Sequence, residues 1–238
     1  MKNHTLLTYL NQILQPEKFK DYCPNGLQIE GDTDINKVVT GVSLNDELIN
    51  HAINSGANAI IVHHGIFWYK DDYVISGIKR KRIAKLLSHG INLYAYHLPL
   101  DNHAVLGNNI QLANLLNIEV SIIPGVQDLL WCGRLTNALS LEDFVGDISR
   151  KLNHKPLYFS SVSDKKISRI AWCTGGADNL FNAAINLGVD AYVTGEAAEP
   201  SQAMALESDV IFIAAGHYAT ERYGIMALSR HICQELSI

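Results

Sequence analysis

Short apolar runs alternate along the whole chain with stretches in which apolar residues return every three or four positions. Runs such as Val38-Val39-Thr40-Gly41, Ile60-Ile61-Val62 and Tyr192-Val193 read as strands buried on both faces, which need no polar alternation. Helical spacing predicts helices near 79–88, 107–116, 141–152, 199–206 and 218–235, and further strands near 92–96, 118–122, 156–160 and 210–215. Leu6, Leu10, Ile13 and Leu14 open the chain on one helical face. Ser140, followed by Leu141-Glu142-Asp143, offers an N-cap with acidic residues in the first turn. Strand and helix alternate throughout, which defines the α/β class.

One stretch of this pattern occurs twice. Residues 46–59, DELINHAINSGANA, align without a gap on residues 178–191, DNLFNAAINLGVDA, with eight identities in fourteen positions. Each copy follows an apolar run ending in Thr-Gly and precedes another apolar run, so both read as strand, helix, strand with a parallel crossover. Leu48, Ala52 and Ile53 supply an apolar helical face, and Gly56 and Gly188 stand where a left-handed C-terminal residue belongs. The expected architecture is two similar α/β domains, each a mainly parallel or mixed sheet flanked by helices, with the functional site between them. A turn at Pro124-Gly125 divides residues 1–124 from 125–238, and the C-terminal helix is expected to return to the first domain.

Composition narrows the class. With 238 residues, 47% of them hydrophobic, the chain can bury a substantial core. No apolar run approaches the roughly 18 residues a membrane helix needs, and the start lacks a secretory pattern, so a cytoplasmic protein is expected. A net charge of −5 disfavours nucleic acid as a partner. The basic run Lys79-Arg80-Lys81-Arg82 reads as a solvated helix start. Cys23, Cys132, Cys173 and Cys233 form no C-x-x-C and read as small core residues.

Ligands of parallel sheets bind beyond the carboxyl ends of the strands, and in this chain those ends are rich in metal-capable side chains. His63-His64-Gly65, His97-Leu98-Pro99-Leu100-Asp101, Thr194-Gly195-Glu196 and Gly216-His217 each follow a strand, with Glu221 four residues after His217. Taken alone, each has a plain structural reading: a loop carboxylate, a core histidine, an exposed helical pair. Gathered at one sheet edge, the imidazoles and carboxylates would repel one another without a cation. His63, His64, Asp101, His217 and Glu221 outnumber the ligands one open zinc site takes, so two divalent ions fit better, of zinc, iron, manganese or cobalt type. His97 and Glu196 are candidates for proton transfer or for orienting the ligands.

These segments, with Pro24-Asn25-Gly26-Leu27-Gln28-Ile29-Glu30-Gly31 and Gly107-Asn108-Asn109, resemble the Nif-three-like family, also called GTP cyclohydrolase I type 2 homologues, in its YbgI-type bacterial branch. The resemblance spans almost the whole chain. It implies paired α/β domains, a dinuclear metal centre on the same five residues and a homohexameric toroid. Many relatives read His-Thr-Asn-Leu-Asp where this chain has His97-Leu98-Pro99-Leu100-Asp101, so the loop keeps its ends and has an apolar middle.

Two functions from different classes follow. A metal-dependent hydrolase would act on a nucleotide or a related small phosphorylated or heterocyclic substrate. The family name implies hydrolytic opening of the guanine ring of GTP. Thr174-Gly175-Gly176 could then meet phosphates, although it reads more simply as a tight turn, and Phe67-Trp68-Tyr69 could stack on a base or form a small aromatic cluster. The other function is a metal-binding regulatory or assembly protein without turnover.

Overall fold

The first part of the chain runs α1 (Asn3–Leu14), β1 (Gly26–Ile29), β2 (Val38–Ser43), α2 (Asp46–Ser55), β3 (Ala59–His64), α3 (Gly77–Ser88) and β4 (Asn92–Ala95) in a computed structural model that describes residues 1–125, 128–162 and 164–236. Its sheet has the order β1-β4-β3-β2, with β2, β3 and β4 parallel and β1 antiparallel to β4. Ile60, Ile61 and Val62 are all fully buried, which is why β3 is apolar without alternation. Ile60 and Val62 join a core with Ile49 and Ala52 of α2 and Ile83 and Leu86 of α3. The buried face of α2 is thus centred one residue from the expected one, with Leu48 and Ile53 at its half-buried margins. Asn45 caps α2 by accepting the Leu48 N–H at 2.8 Å, and Gly56 ends it at φ 69°.

After the short α4 (Leu98–Asp101) come α5 (Asn108–Leu116), β5 (Ile118–Ile122), β6 (Trp131–Leu139), α6 (Leu141–Leu152), β7 (Leu157–Phe159), β8 (Ile167–Trp172), α7 (Phe181–Asn186), β9 (Ala191–Thr194), α8 (Glu199–Glu207), β10 (Ile211–Ala214) and α9 (His217–Leu236). The second sheet has the order β5-β6-β8-β9-β10-β7. Its parallel heart is β8, β9 and β10, and antiparallel pairing adds β6 and β5 on one side and β7 on the other. One core, with Trp131, Phe144, Ile148, Trp172 and Ile213, lies under α5 and α6; another, with Phe181, Tyr192 and Phe212, lies under α7 and α8. Ser140 caps α6 as expected, accepting the Asp143 N–H at 3.1 Å.

Contacts divide the chain into Met1–Leu100 with the stretch from Ile225 onward, and Asp101–Gly224. This division differs from a boundary at Pro124-Gly125. By Pro124 the chain has already joined the second sheet, because β5 pairs with β6 and α5 buries Leu112, Ala113 and Leu116 in the core that holds Trp131. Asp101 therefore groups with His217 and Glu221. Segments 46–59 and 178–191 each connect two parallel strands, β2 to β3 and β8 to β9, but the second opens with a 3₁₀ turn at Asp178–Leu180 before a shorter helix. Cys23, Cys132 and Cys173 are buried, whereas Cys233 is exposed on α9 and is no core residue. Among the described residues no helix is long and apolar enough to cross a membrane.

Candidate functional site

In the first unit the chemistry gathers at the carboxyl ends of β3 and β4. His63 is buried, and its Nδ1 lies 3.0 Å from the Tyr96 carbonyl oxygen, an acceptor only, so Nδ1 carries the proton and Nε2 the lone pair of the neutral ring. His64 Nδ1 lies 3.0 Å from Ser43 Oγ at the end of β2. Strand alternation would send the two rings apart, yet their centroids are 4.4 Å apart. The chain leaves the strand at Gly65, where a Cβ would strike the Gln28 carboxamide and the Ala95 side chain. Gln28 Oε1 accepts the Ile66 N–H at 2.8 Å and so fixes the turn that swings His64 toward His63.

His97 follows β4 and brings a third ring, 5.1 Å from His63 and 5.7 Å from His64 between centroids. One nitrogen from each of the three rings lies within 4.8 Å of the others. Two residues from the loop before β1 hold His97. Asp21 Oδ1 accepts from His97 Nδ1 at 2.7 Å, and Asp21 Oδ2 accepts the Leu98 N–H at 2.9 Å. Asn25 accepts the His97 N–H at 2.7 Å and donates to Asp21 at 2.8 Å. Burial pushes the Asp21 carboxyl upward, but the hydrogen bond and charge of His97, with Asn25 and the Leu98 N–H, outweigh it and leave the pKa below the usual carboxylate value. Asp21 is therefore an ionised acceptor, and His97 presents Nε2 away from it.

In the second unit, Asp101 is buried and accepts from Asn108 Nδ2 at 2.8 Å and Thr174 Oγ1 at 3.3 Å. Asn109 ties the Asp101 carbonyl to the Thr174 N–H with its two side-chain ends, at 3.1 and 2.9 Å. His217 opens α9, with Nε2 3.1 Å from Glu221 Oε2 one turn later and Nδ1 2.7 Å from Glu196 Oε1. The bond to Glu221, against burial and with help from Glu196, raises the His217 pKa to about 9. Glu221 is buried, and one of its oxygens lies within 4.8 Å of an Asp101 oxygen. Two buried carboxylates at that separation favour a cation beside them.

The turn Thr174-Gly175-Gly176 makes room for this arrangement. Gly175 has φ 73°, and a Cβ there would collide with the Glu221 carboxylate and lie 3.2 Å from His217 Nε2. Its N–H donates to Thr220 Oγ1 at 3.1 Å. Asp21, Gly175, Asn108 and Asn109 thus shape the site without being marked as metal-capable by spacing. Of the residues selected from sequence, His63, His64 and His97 meet in the first unit, and Asp101, Glu196, His217 and Glu221 in the second.

Imidazole nitrogens with a polar partner on the opposite ring nitrogen, beside buried carboxylates, are the donor set of a transition-metal site rather than of calcium. The residues present therefore fit divalent metal. The family model Duf34/NIF3 (NGG1p interacting factor 3) matches residues 1–238. The chain belongs to the Duf34/NIF3 family. Among its relatives is a GTP cyclohydrolase 1 type 2 homolog of Yersinia pestis, 44% identical over 238 residues, which span 100% of this chain and 96% of that protein. The Escherichia coli K12 homolog of the same name is 44% identical, covering 96% of this chain and 92% of its own length. A structural-genomics structure of the protein ybgI, described as of unknown function, superposes with a TM-score of 0.95 at 43% identity, covering 99% of this chain and 94% of that one. A crystal structure of a Thermus thermophilus protein gives 0.89 at 29% identity, covering 100% of this chain and 95% of that one. The mixed α/β fold with two helix-flanked sheets is thus that of the Duf34/NIF3 structures.

Proposed function

We propose that this Duf34/NIF3 protein holds two divalent metal ions on His63, His64, Asp101, His217 and Glu221 and hydrolyses a nucleotide or a related small phosphorylated or heterocyclic compound. The observation that carries the reading is the clustering of three strand-end imidazoles in one unit and of two buried carboxylates with an imidazole in the other. When bound, two such ions acidify water and polarise the bond that is attacked. The chain's own contribution is proton handling and orientation. His97 is held through Nδ1 by Asp21, so its Nε2 can accept a proton and return it to a leaving group. Glu196 holds His217 through Nδ1 and fixes the direction of Nε2. The relatives' names support the hydrolase class, and the family resemblance supports a homohexamer in the cytoplasm.

Elemental analysis of protein purified without chelator should find close to two transition-metal ions per chain, a number that His64→Ala and Glu221→Ala should lower. Glu196→Gln and His97→Asn should keep both ions while at least one loses roughly 10²- to 10⁴-fold in rate. Were these two residues only to orient ligands, metal affinity would instead fall by about 10- to 100-fold. Full metal loading without turnover across a panel of nucleotides and phosphoesters would replace the hydrolase reading by metal binding without catalysis. A single-chain mass by light scattering would remove the hexamer.

A further inference from the structure

Beside the three imidazoles of the first unit lies a cleft of about 430 Å³, within the size range of small-molecule sites. Its lining is aromatic to an unusual degree, with Tyr22, Phe67, Trp68, Tyr69 and Tyr73 among the contributing side chains. The walls come from the loop before β1 and the segment between β3 and α3, and the Tyr69 N–H donates to the Tyr22 carbonyl at 2.7 Å to join them. The Trp68 ring meets His97 edge-on at 5.2 Å and lies 5.7 Å from His64, so this one side chain both lines the cleft and touches the imidazole cluster. Tyr69 and Tyr73 are 82% and 94% exposed. Aromatic rings left this open at the mouth of a cleft offer faces on which a flat ligand can stack.

Charge decides what kind of ligand. The ammonium in the lining, that of Lys79, is engaged: it lies 3.6 Å from Asp71, donates to the Asp72 carbonyl at 3.2 Å and sits over the Phe67 ring at 5.0 Å. Of the acids in the lining, Asp71 is paired with that ammonium and Asp72 is exposed, whereas the Asp21 carboxylate is 2% exposed and held by His97, Asn25 and the Leu98 N–H. With the ammonium committed to Asp71, and with Asp72 exposed, the lining offers phosphate no uncommitted positive charge and suits an uncharged ring whose N–H groups donate outward.

We propose that this cleft binds a planar nitrogen heterocycle, uncharged and carrying N–H donors, stacked on Trp68 with Tyr22 and Tyr69, and that it does not receive a phosphate. The inference rests on the proposed hydrolase reading only in making that ring the part of the substrate nearest His97 and His64.

Binding can be read without turnover. Of the three tryptophans, Trp131 and Trp172 are fully buried, so a change in indole emission on adding a small probe reports Trp68. Adenosine should alter the emission saturably, while ribose 5-phosphate and inorganic phosphate should not. By calorimetry, Trp68→Ala should weaken adenosine by about tenfold or more, and Tyr69→Ala, at an exposed position that the fold does not need, by several-fold. The proposal fails if adenosine gives no saturable signal, if phosphate competes for the cleft, or if adenosine binds both variants unchanged. Adenosine bound in a chain that hydrolyses nothing would sink the hydrolase reading and leave the cleft standing. An active, metal-loaded chain whose cleft ignores adenosine would do the reverse.

Discussion

Gly175 shows how a residue with no side chain can decide a site. Its φ of 73° lies in the left-handed region, and the space a Cβ would fill is taken by the Glu221 carboxylate. Gly175→Ala should therefore cost about 1–3 kcal/mol in stability and push Glu221 from its place. Urea unfolding measures the first effect, and metal content per chain should fall, as is expected for Glu221→Ala. An alanine variant with unchanged stability and metal content would show that the loop relaxes freely. Such residues explain what the sequence could and could not disclose. His63, His64, His217 and Glu221 are visible because a strand end or a helix start fixes their neighbourhood, and their side chains are of types that can bind metal. Asp21 reaches His97 across 76 positions of sequence, and Asn109 works through backbone groups at the end of α4 and in the turn after β8, so no local spacing reveals either.

At the scale of elements, β8 and β9 are fastened at their starts by Asp190. Its Oδ2 accepts the N–H groups of Ser168 and Arg169 at 3.0 and 2.8 Å, and Lys165 lies 3.4 Å from Oδ1. Partial burial alone would raise the Asp190 pKa, but these donors and Lys165 outweigh it and hold the pKa below its ordinary value. A carboxyl whose pKa is lowered on folding stabilises the fold above its unfolded pKa of about 3.9, and the contribution disappears as pH falls through the lower folded value. Asp190→Asn should cost about 1–2 kcal/mol at pH 7 in urea unfolding, and the gap from the parent protein should narrow below pH 4. A gap independent of pH would assign the effect to shape rather than charge. The same strands show why parallel elements are the easy ones to find: β3, β9 and β10 are covered on both faces and carry apolar runs without alternation, and β8 does so from Ile170 to Trp172. β1 and β6 escape that signal. β1 has four residues with half-buried Leu27 and Gln28, and β6 changes from buried to exposed along its length and contains Gly133.

For the molecule as a whole, the two units differ in how the chain composes them. Asp101–Gly224 is one continuous segment, whereas the first unit needs both Met1–Leu100 and the stretch from Ile225. Leu228 is fully buried in that stretch, and Tyr9 of α1 reaches His231, with Oη and Nε2 3.0 Å apart. Leu228→Ala should cost about 2–5 kcal/mol. Amide exchange should register the loss first in β3 and β4, with β8, β9 and β10 keeping their protection. Equal loss in both sheets would mean that the units unfold as one. The sequence pattern placed the strands and helices and led to the expectation that the C-terminal helix returns, but it set the passage between units at Pro124-Gly125 instead of after Leu100, because the pairing of β5 with β6 leaves no mark in local periodicity.

That connectivity also sets an order of events during synthesis. A ribosome releases the whole of Asp101–Gly224 before it releases residues 225 to 236, so the unit begun first is the one completed last. Until that stretch emerges, Tyr9 of α1 lacks His231 and the first unit lacks the buried Leu228. The segment that begins with His217 and runs through Glu221 is made just before that closing stretch. α9 therefore brings proposed metal ligands and the missing piece of the first unit in one continuous element.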